Sequence, residues 1–363
     1  MRHLELFSGI GGFRRALDLL SHDGVMDFVS AGFSEIDTNA TRTYKAIYAI
    51  DPNEVEVGDI VAFTHNDDAL AERMNSLGEV DLLTGGFPCQ SFSMMGNKEG
   101  FNDESRGQMF FRILDVIDFK NPRYLLLENV KNLFTHDNKR TYQRIEAELR
   151  EREYHVFPGI YNSADFGLPQ TRNRVIVFAT REEVPQGFRD VFTPESVKAL
   201  FDERSVHFST LHFESTLDLL ERNVDRKYFL SERIKPTILS DGSANFRSKS
   251  EINLRTARPL TASMHKMHRA CQDNYYSQDW IESDGEYNPA EHCTKQELAL
   301  HAIRKLTPRE AFMLQGFPGE FADIAHQAGV PDGALYKQAG NAVSVNIVYS
   351  VLYYLIENHI IND

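Results

Sequence analysis

The sequence predicts an α/β fold, a doubly wound and mostly parallel sheet with a second, smaller and loop-rich domain, on three observations. Short apolar runs alternate with amphipathic helical stretches through the first 180 residues, the pattern of a sheet covered by helices on both faces. The residues that close those runs are polar, reactive or glycine-rich, and an open α/β sheet gathers its ligands beyond the carboxyl ends of its strands. From about 185 to 300 the alternation gives way to mixed polarity and irregular spacing, as expected of an insertion.

The elements follow in order. "RHLELF" opens the chain as a strand, and "FRRALDLL" carries helical spacing after the turn "LFSGIGGF". Gly9, Gly11 and Gly12 in that turn permit a tight bend and a close backbone approach by a ligand. The turn lacks the full GxGxxG pattern, so a smaller adenosine-containing ligand is favoured over a dinucleotide. "DFVSAGF" is the second strand, and Glu35 beyond it lies twenty-three residues after Gly12, close to the spacing of an acid that grips ribose hydroxyls. The short "VEVGD" ends at Asp59, and "VDLLTGG" runs into Pro88 and Cys89. "GQMFFRILDVIDF" is helical, "RYLLLENV" ends on Glu128 and Asn129, "KRTYQRIEAELRE" is helical again, and "RVIVFAT" is the last strand of the block. Near the end of the chain, "TPREAFMLQ" and "NIVYSVLYYLIENHII" return to helical patterns, and the second is expected to pack on the first domain.

Composition narrows the function classes. A chain of 363 residues exceeds the usual single domain. It has no run of eighteen apolar residues, and its first residues read as a strand, so neither a membrane span nor a signal peptide is expected. Cys89, Cys271 and Cys293 are odd in number and have no zinc-ligand spacing, which predicts no metal and a reducing, cytoplasmic setting. The formal net charge of -14 argues against indiscriminate nucleic-acid binding, yet Leu220 to Asp273 holds eleven Lys or Arg against six Asp or Glu. One basic surface on an acidic body is predicted.

The motifs "LFSGIGGF" (6–13), "GGFPCQSFS" (85–93), "LLLENV" (125–130), "QTRNRV" (170–175), "RKLTPREAFMLQGFP" (304–318) and "YKQAGNAVSVNI" (336–347) resemble, in this order, those of the DNA (cytosine-5)-methyltransferases of bacterial or phage restriction-modification type. The resemblance implies a Rossmann-like methyltransferase fold with S-adenosylmethionine as methyl donor. It implies domains at 1–184 (catalytic) and 185–324 (target recognition), with 325–363 returning to the first. Cys89 would add to carbon 6 of a cytosine flipped out of duplex DNA, Glu128 would serve its N3, Asn129 would hold the loop, and Arg172 and Arg174 would project together toward the base. Phe7, Ser8, Gly9, Gly11, Glu35, Ile36, Asp59, Ile60, Pro88 and Asn341 would line the cofactor. Gln90, Ser93 and Arg106 would meet DNA, with 93–107 closing over the base. In the variable region Arg258, Lys266 and Arg269, with Thr261, His265, Tyr275 and Tyr276, would meet phosphates and base edges, while Cys271 and Cys293 would be structural. The implied partners are double-stranded DNA and, functionally, a cognate restriction endonuclease, with the protein a monomer in a prokaryotic cytoplasm. RNA methylation on the same fold and a catalytically inactive binding protein stay open as alternatives.

Overall fold

A computed structural model describes residues 1–88, 109–242 and 248–362. Two compact units make up the chain: Met1–Tyr161 with Asn173–Thr210 and Ile347–Asp363, and Asn162–Arg172 with Leu211–Asn346.

The first unit is built on β1 (Arg2–Leu6), α1 (Gly12–His22), β2 (Val29–Ser34), α2 (Thr38–Ile47), β3 (Val55–Glu56), α3 (Ile60–Phe63), α4 (Leu70–Ser76), β4 (Leu82–Gly86), α5 (Met109–Lys120), β5 (Tyr124–Val130), α6 (Arg140–Glu151), β6 (His155–Asn162), β7 (Asn173–Thr180), α7 (Phe188–Val191) and α8 (Pro194–Arg204). The sheet order is β3-β2-β1-β4-β5-β7-β6. The first five of these lie parallel to their neighbours, while β7 runs antiparallel to β5. The expected strands are therefore present, and the sheet is mostly parallel as predicted. The eight-residue β6 was not expected, because Pro158 and Gly159 interrupt its apolar alternation.

Strand order reverses at β1, whose neighbours are β2 and β4. An open sheet leaves its ligand crevice at such a switch point. Registry aligns the strand ends there: Leu6 pairs with Ser34 and with Gly85, and Gly86 pairs with Glu128. The core that fixes this edge includes Leu4, Leu6, Leu83, Leu125, Leu127, Val175 and Val177, with Phe110, Ile113, Leu114 and Ile117 of α5. Each such buried side chain is worth about 1.5–3 kcal/mol, so sliding one strand by a residue is prohibitive.

The second unit is short-stranded and loop-rich. It holds α9 (Lys235–Leu239), the antiparallel pair β8 (Tyr275–Ser277) and β9 (Ile303–Lys305), α10 (Gln278–Glu282), α11 (Pro289–His292), α12 (Lys295–Leu298), α13 (Pro308–Met313), α14 (Gly319–Gln327) and α15 (Asp332–Asn341). A small core of its own forms around Leu230, Ile238, Leu239, Ile252, Tyr275 and Ile303. Arg304 and Glu310 pair at 2.7 Å with both side chains fully buried, and Glu310 also closes the capping box of α13 with Thr307. The last helix, α16 (Val345–Glu357), carries the chain back into the first unit from Ile347 onward. The stretch Asp332–Glu357 is apolar and long enough to cross a membrane, but 83% of its most apolar window is buried, as in a core helix.

Candidate active site

The turn after β1 is shaped by conformational demands. Phe7, Gly9 and Gly11 all have positive φ, 55°, 55° and 79°. Phe7 pays a strain that glycine avoids, a feature that gathers at functional sites. A Cβ on Gly11 would stand 2.5 Å from Cε2 of Tyr48, whose hydroxyl donates to the Gly11 carbonyl at 2.8 Å. A Cβ on Gly9 would meet nothing within 4 Å, so that side of the turn opens onto free space.

Glu35, one residue past β2, faces this turn. Its Oε2 accepts the Gly9 N–H at 2.8 Å, and its Oε1 accepts those of Ile36 and Asp37 at 2.8 and 2.7 Å. Each carboxylate oxygen can accept more than one donor, so the group is oriented without being saturated. Beside it the Ile36 side chain is 73% exposed, an apolar surface next to a fixed carboxylate. Asp59 caps α3 through the Val61 N–H, leaving Ile60 buried and Asp59 exposed beyond β3. Ser8 is buried, with its N–H on the Ser34 carbonyl. Phe7, Ser8, Gly9, Gly11, Glu35, Ile36, Asp59 and Ile60 thus share the carboxyl edge of neighbouring parallel strands, and exposed Pro88 follows β4 at the same edge. Asn341 lies elsewhere in the chain, exposed at the end of α15 in the second unit.

At the far side of this edge Glu128 Oε1 meets Arg174 Nε at 2.8 Å, both side chains largely buried. The pairing of β5 with β7 produces this contact. Val130 opposes Arg174 and Glu128 opposes Ile176, so Glu128 and Arg174 are diagonal neighbours on one face. A Cβ on Gly86 would lie 3.3 Å from Glu128 Oε2, so that oxygen sits against the end of β4. Asn129 points to the other face and is almost fully buried, donating from its amide to the Phe87 carbonyl at 2.8 Å and accepting the Val130 N–H at 2.9 Å. Cys89, Gln90, Ser93 and Arg106 lie outside the described residues, as does the 93–107 segment.

Arg172 corrects the expectation that it and Arg174 project together toward a base. It precedes β7 rather than belonging to it, so strand alternation does not align the two. Its guanidinium is buried, at 1% exposure, and donates to the carbonyls of Leu260, Gly340 and Ala342 at 2.8–2.9 Å. Gln170, to which the sequence reading assigned no role, is fully buried beside it in sequence, donating to the Leu314 carbonyl and accepting the Leu260 N–H. Glu5 was missed likewise. A fully buried carboxylate inside a strand, it accepts the N–H groups of Phe13 and Arg14 at the start of α1, and burial pushes its carboxyl up to about 8 despite the nearby Arg14. Its signal in sequence was a lone acid within an apolar run.

The basic face of the second unit is only partly as expected. Lys266 and Thr261 are exposed. Arg258 and Arg269 are half-buried and braced on the carbonyls of Glu251 and Asp241, and His265 is half-buried. Tyr275 and Tyr276 are buried, in the β8–β9 ladder, so they are core residues and not contacts to phosphates and base edges.

The chain matches, over residues 1–357, the model of the C-5 cytosine-specific DNA methylase family. It belongs to that family. It is 33% identical over 359 residues to the type II methyltransferase M1.ScrFI of Lactococcus lactis subsp. cremoris, covering 98% of this chain and 77% of the relative. It is 32% identical to the type II methyltransferase M.SsoII of Shigella sonnei, over 96% of this chain and 78% of that one. Among solved structures, the S. pombe Dnmt2 methyltransferase superposes with a TM-score of 0.74 at 23% identity, covering 99% of each chain, a likeness of fold. The cytosine methylase is thus an enzyme that methylates DNA cytosine at carbon 5. In this methylase the adjoining strand ends of β1, β2, β4 and β5 carry Phe7, Glu35, Pro88 and Glu128 within one unit.

Proposed function

We propose that the methylase transfers a methyl group from S-adenosylmethionine to carbon 5 of a cytosine flipped out of a specific double-stranded DNA sequence, through a transient bond from Cys89 to carbon 6. The observation that carries this reading is the Glu128–Arg174 pair, set across from Gly86 and three residues upstream of Cys89. Carbon 5 of cytosine is a weak nucleophile while the ring stays aromatic. A thiolate adding to carbon 6 breaks that aromaticity and drives an electron pair toward carbon 5 and N3. Glu128 delivers or shares a proton at N3, and Arg174 orients its carboxyl group. Asn129 acts in this reading by holding the backbone at Phe87, two residues before Cys89 in sequence.

The residues around Glu35 fit the cofactor. A carboxylate with capacity left suits ribose hydroxyls, the exposed Ile36 side chain suits the face of a purine, and the open side of Gly9 admits a ligand against backbone. Asp59 and Ile60 extend that surface, and Phe7, Ser8, Gly11 and Pro88 complete it; Asn341 is assigned to the cofactor on its motif alone. When bound, the cofactor supplies an electrophilic methyl on a sulfonium. Reaching a stacked base requires extrusion, at a cost of a few kcal/mol, which the second unit offsets through DNA contacts including Lys266, Arg258 and Arg269, joined by Gln90, Ser93 and Arg106. Arg172 serves this reading as a positioning residue. Relatives named type II methyltransferases support a restriction-modification setting; a cognate endonuclease as functional partner and a monomeric enzyme in a prokaryotic cytoplasm belong to the same reading.

Incubation with methyl-labelled S-adenosylmethionine and either duplex DNA or RNA tests this. Label is expected in DNA, resistant cytosines are expected on bisulfite sequencing, and Cys89→Ala is expected to abolish transfer. Duplexes with 5-fluorocytosine at the target are expected to trap an adduct mapping to Cys89. Label in RNA alone, transfer surviving Cys89→Ala, or an adduct on Cys271 overturns it.

A further inference from the structure

The second unit contains a group of reactive side chains that lie outside the motifs used above. Cys293 Sγ lies 3.7 Å from Nε2 of His301, and His301 Nδ1 lies 3.0 Å from Oδ2 of Asp279. Chemistry fixes the direction of these bonds. An ionised carboxylate only accepts, so the proton on the neutral imidazole sits on Nδ1 and the Nε2 lone pair faces sulfur. The thiol is therefore the donor, and His301 is placed to take its proton while Asp279 steadies the imidazolium that results. Nucleophile, base and orienting acid stand in the order that activates a thiol.

The surroundings favour the same outcome. Cys293 ends α11 and is partly exposed, packed at the rim of the unit's small core. His301 and Asp279 are also partly exposed, at 24% and 42% of their side chains. Asp279 orients the ring, and the backbone of His301 is anchored separately, its carbonyl accepting from the buried Lys235 ammonium at 2.7 Å. Cys271 provides an internal comparison. It is partly exposed too and lines a crevice of mixed polarity with Ile234, Ile238, Met267, His268 and Arg269, so the comparison sets the His301 contact at Cys293 against an ordinary polar surrounding.

We infer that Cys293 is a histidine-activated thiol, a modification site for soft electrophiles and hydroperoxides that is separate from methyl transfer. With a hydroperoxide, the sulfur attacks the terminal oxygen and the O–O bond breaks. Sulfur is oxidised by two electrons to a sulfenic acid, and the leaving alkoxide takes up the proton that His301 had accepted from the thiol. With an α-haloamide, a C–S bond forms, halide leaves, and the same proton passes to solvent.

The test is a timed alkylation of the full-length protein with iodoacetamide between pH 6 and 9, quenched and read by peptide mass spectrometry at Cys271 and Cys293 separately. Near pH 7 Cys293 is expected to react about 10-fold faster than Cys271, because the thiolate is the nucleophile and His301 is placed to take the Cys293 proton. The ratio is expected to collapse to about one in denaturant and to fall at least several-fold in His301→Gln. Dimedone trapping after tert-butyl hydroperoxide is expected to label Cys293 ahead of Cys271. Equal native rates, or an excess at Cys293 that survives His301→Gln, overturns the inference. Should His301→Gln fail to give a folded melting transition, Asp279→Asn decides in its place: a slowed Cys293 sustains the relay, and an unchanged rate removes it. Reaction at Cys89 is read from its own peptide, so failure of the proposed transfer mechanism does not confound the result.

Discussion

The Asn129 side chain ties the end of β5 to the end of β4, donating to the Phe87 carbonyl at 2.8 Å from an almost fully buried position. Asn129→Ala strips a donor from that carbonyl and an acceptor from the Val130 N–H. Leaving buried backbone groups unpaired costs about 1–3 kcal/mol. A lowered melting temperature is expected together with a fall in kcat, since the backbone at Phe87, two residues before Cys89 in sequence, loses its anchor. A variant that melts lower yet keeps full kcat would confine Asn129 to a stabilising role.

Glu128 and Arg174 are diagonal partners on one face of the sheet, and their roles separate by substitution. Glu128→Gln keeps the shape but lacks an acid able to give up a proton. A kcat loss of at least about 10²-fold is expected, the usual worth of a positioned acid. Arg174→Lys retains charge without the planar fork, and is expected to lower kcat less than Arg174→Ala. Single-turnover rates with saturating DNA decide this; near-normal chemistry in Glu128→Gln contradicts the assignment.

Much of this site was legible in the sequence because it obeys local rules. Strand ends, glycine turns and the Glu35 spacing follow from short-range periodicity, and parallel strands bring such ends together automatically. What escaped depends on contacts distant along the chain. Arg172 read as a partner of Arg174 two residues away, yet the strand begins between them, and its guanidinium is claimed by carbonyls at 260, 340 and 342. Tyr275 and Tyr276 read as contacts to phosphates and base edges in a basic stretch, but β9, nearly thirty residues later, pairs over them and they are buried. The two buried ionisable residues of β1, His3 and Glu5, sit in a run whose burial only the assembled sheet reveals.

Those two residues predict a pH profile. Burial, joined by Arg14, pushes the His3 imidazole down to about 3, and burial pushes the Glu5 carboxyl up to about 8 against the pull of Arg14 and two backbone N–H groups, with Asp18 adding to the rise. The stability tied to uncharged His3 is present above its ordinary value of 6.5 and is lost as pH falls toward 3. That tied to protonated Glu5 is present below its ordinary 4.5 and is lost as pH rises through about 8. Between the two ordinary values the slopes oppose each other, so these groups give a plateau at mildly acidic pH. Glu5→Gln removes only the alkaline loss. Its melting temperature, measured relative to wild type, is expected to climb from pH 5 to 8 and then level off; a difference that does not vary with pH would mean Glu5 titrates as an exposed carboxylate.

The Arg172 hub makes the last prediction. The guanidinium holds the Leu260 carbonyl together with those of Gly340 and Ala342, while Gln170 takes the Leu260 N–H and the Leu314 carbonyl. The segment leading from Arg258 toward Lys266 is therefore hung from the "QTR" and "GNAV" motifs inside the second unit. Gly340 is part of the same joint, for a Cβ there would lie 2.2 Å from the Thr261 carbonyl carbon, a backbone atom that no rotamer change can move. Arg172→Ala leaves three carbonyls short of a donor, and Gly340→Ala forces the segment away. Both are expected to lower the melting temperature and to raise KM for DNA more than they lower kcat, with Arg172→Lys recovering part of the loss through one or two of the three bonds. Were Arg172 instead to contact the reacting base, Arg172→Ala would cut kcat at saturating DNA while Gly340→Ala left catalysis and DNA affinity alone. Paired kinetics on the two variants distinguish a residue that aims the reading segment from one that touches the cytosine.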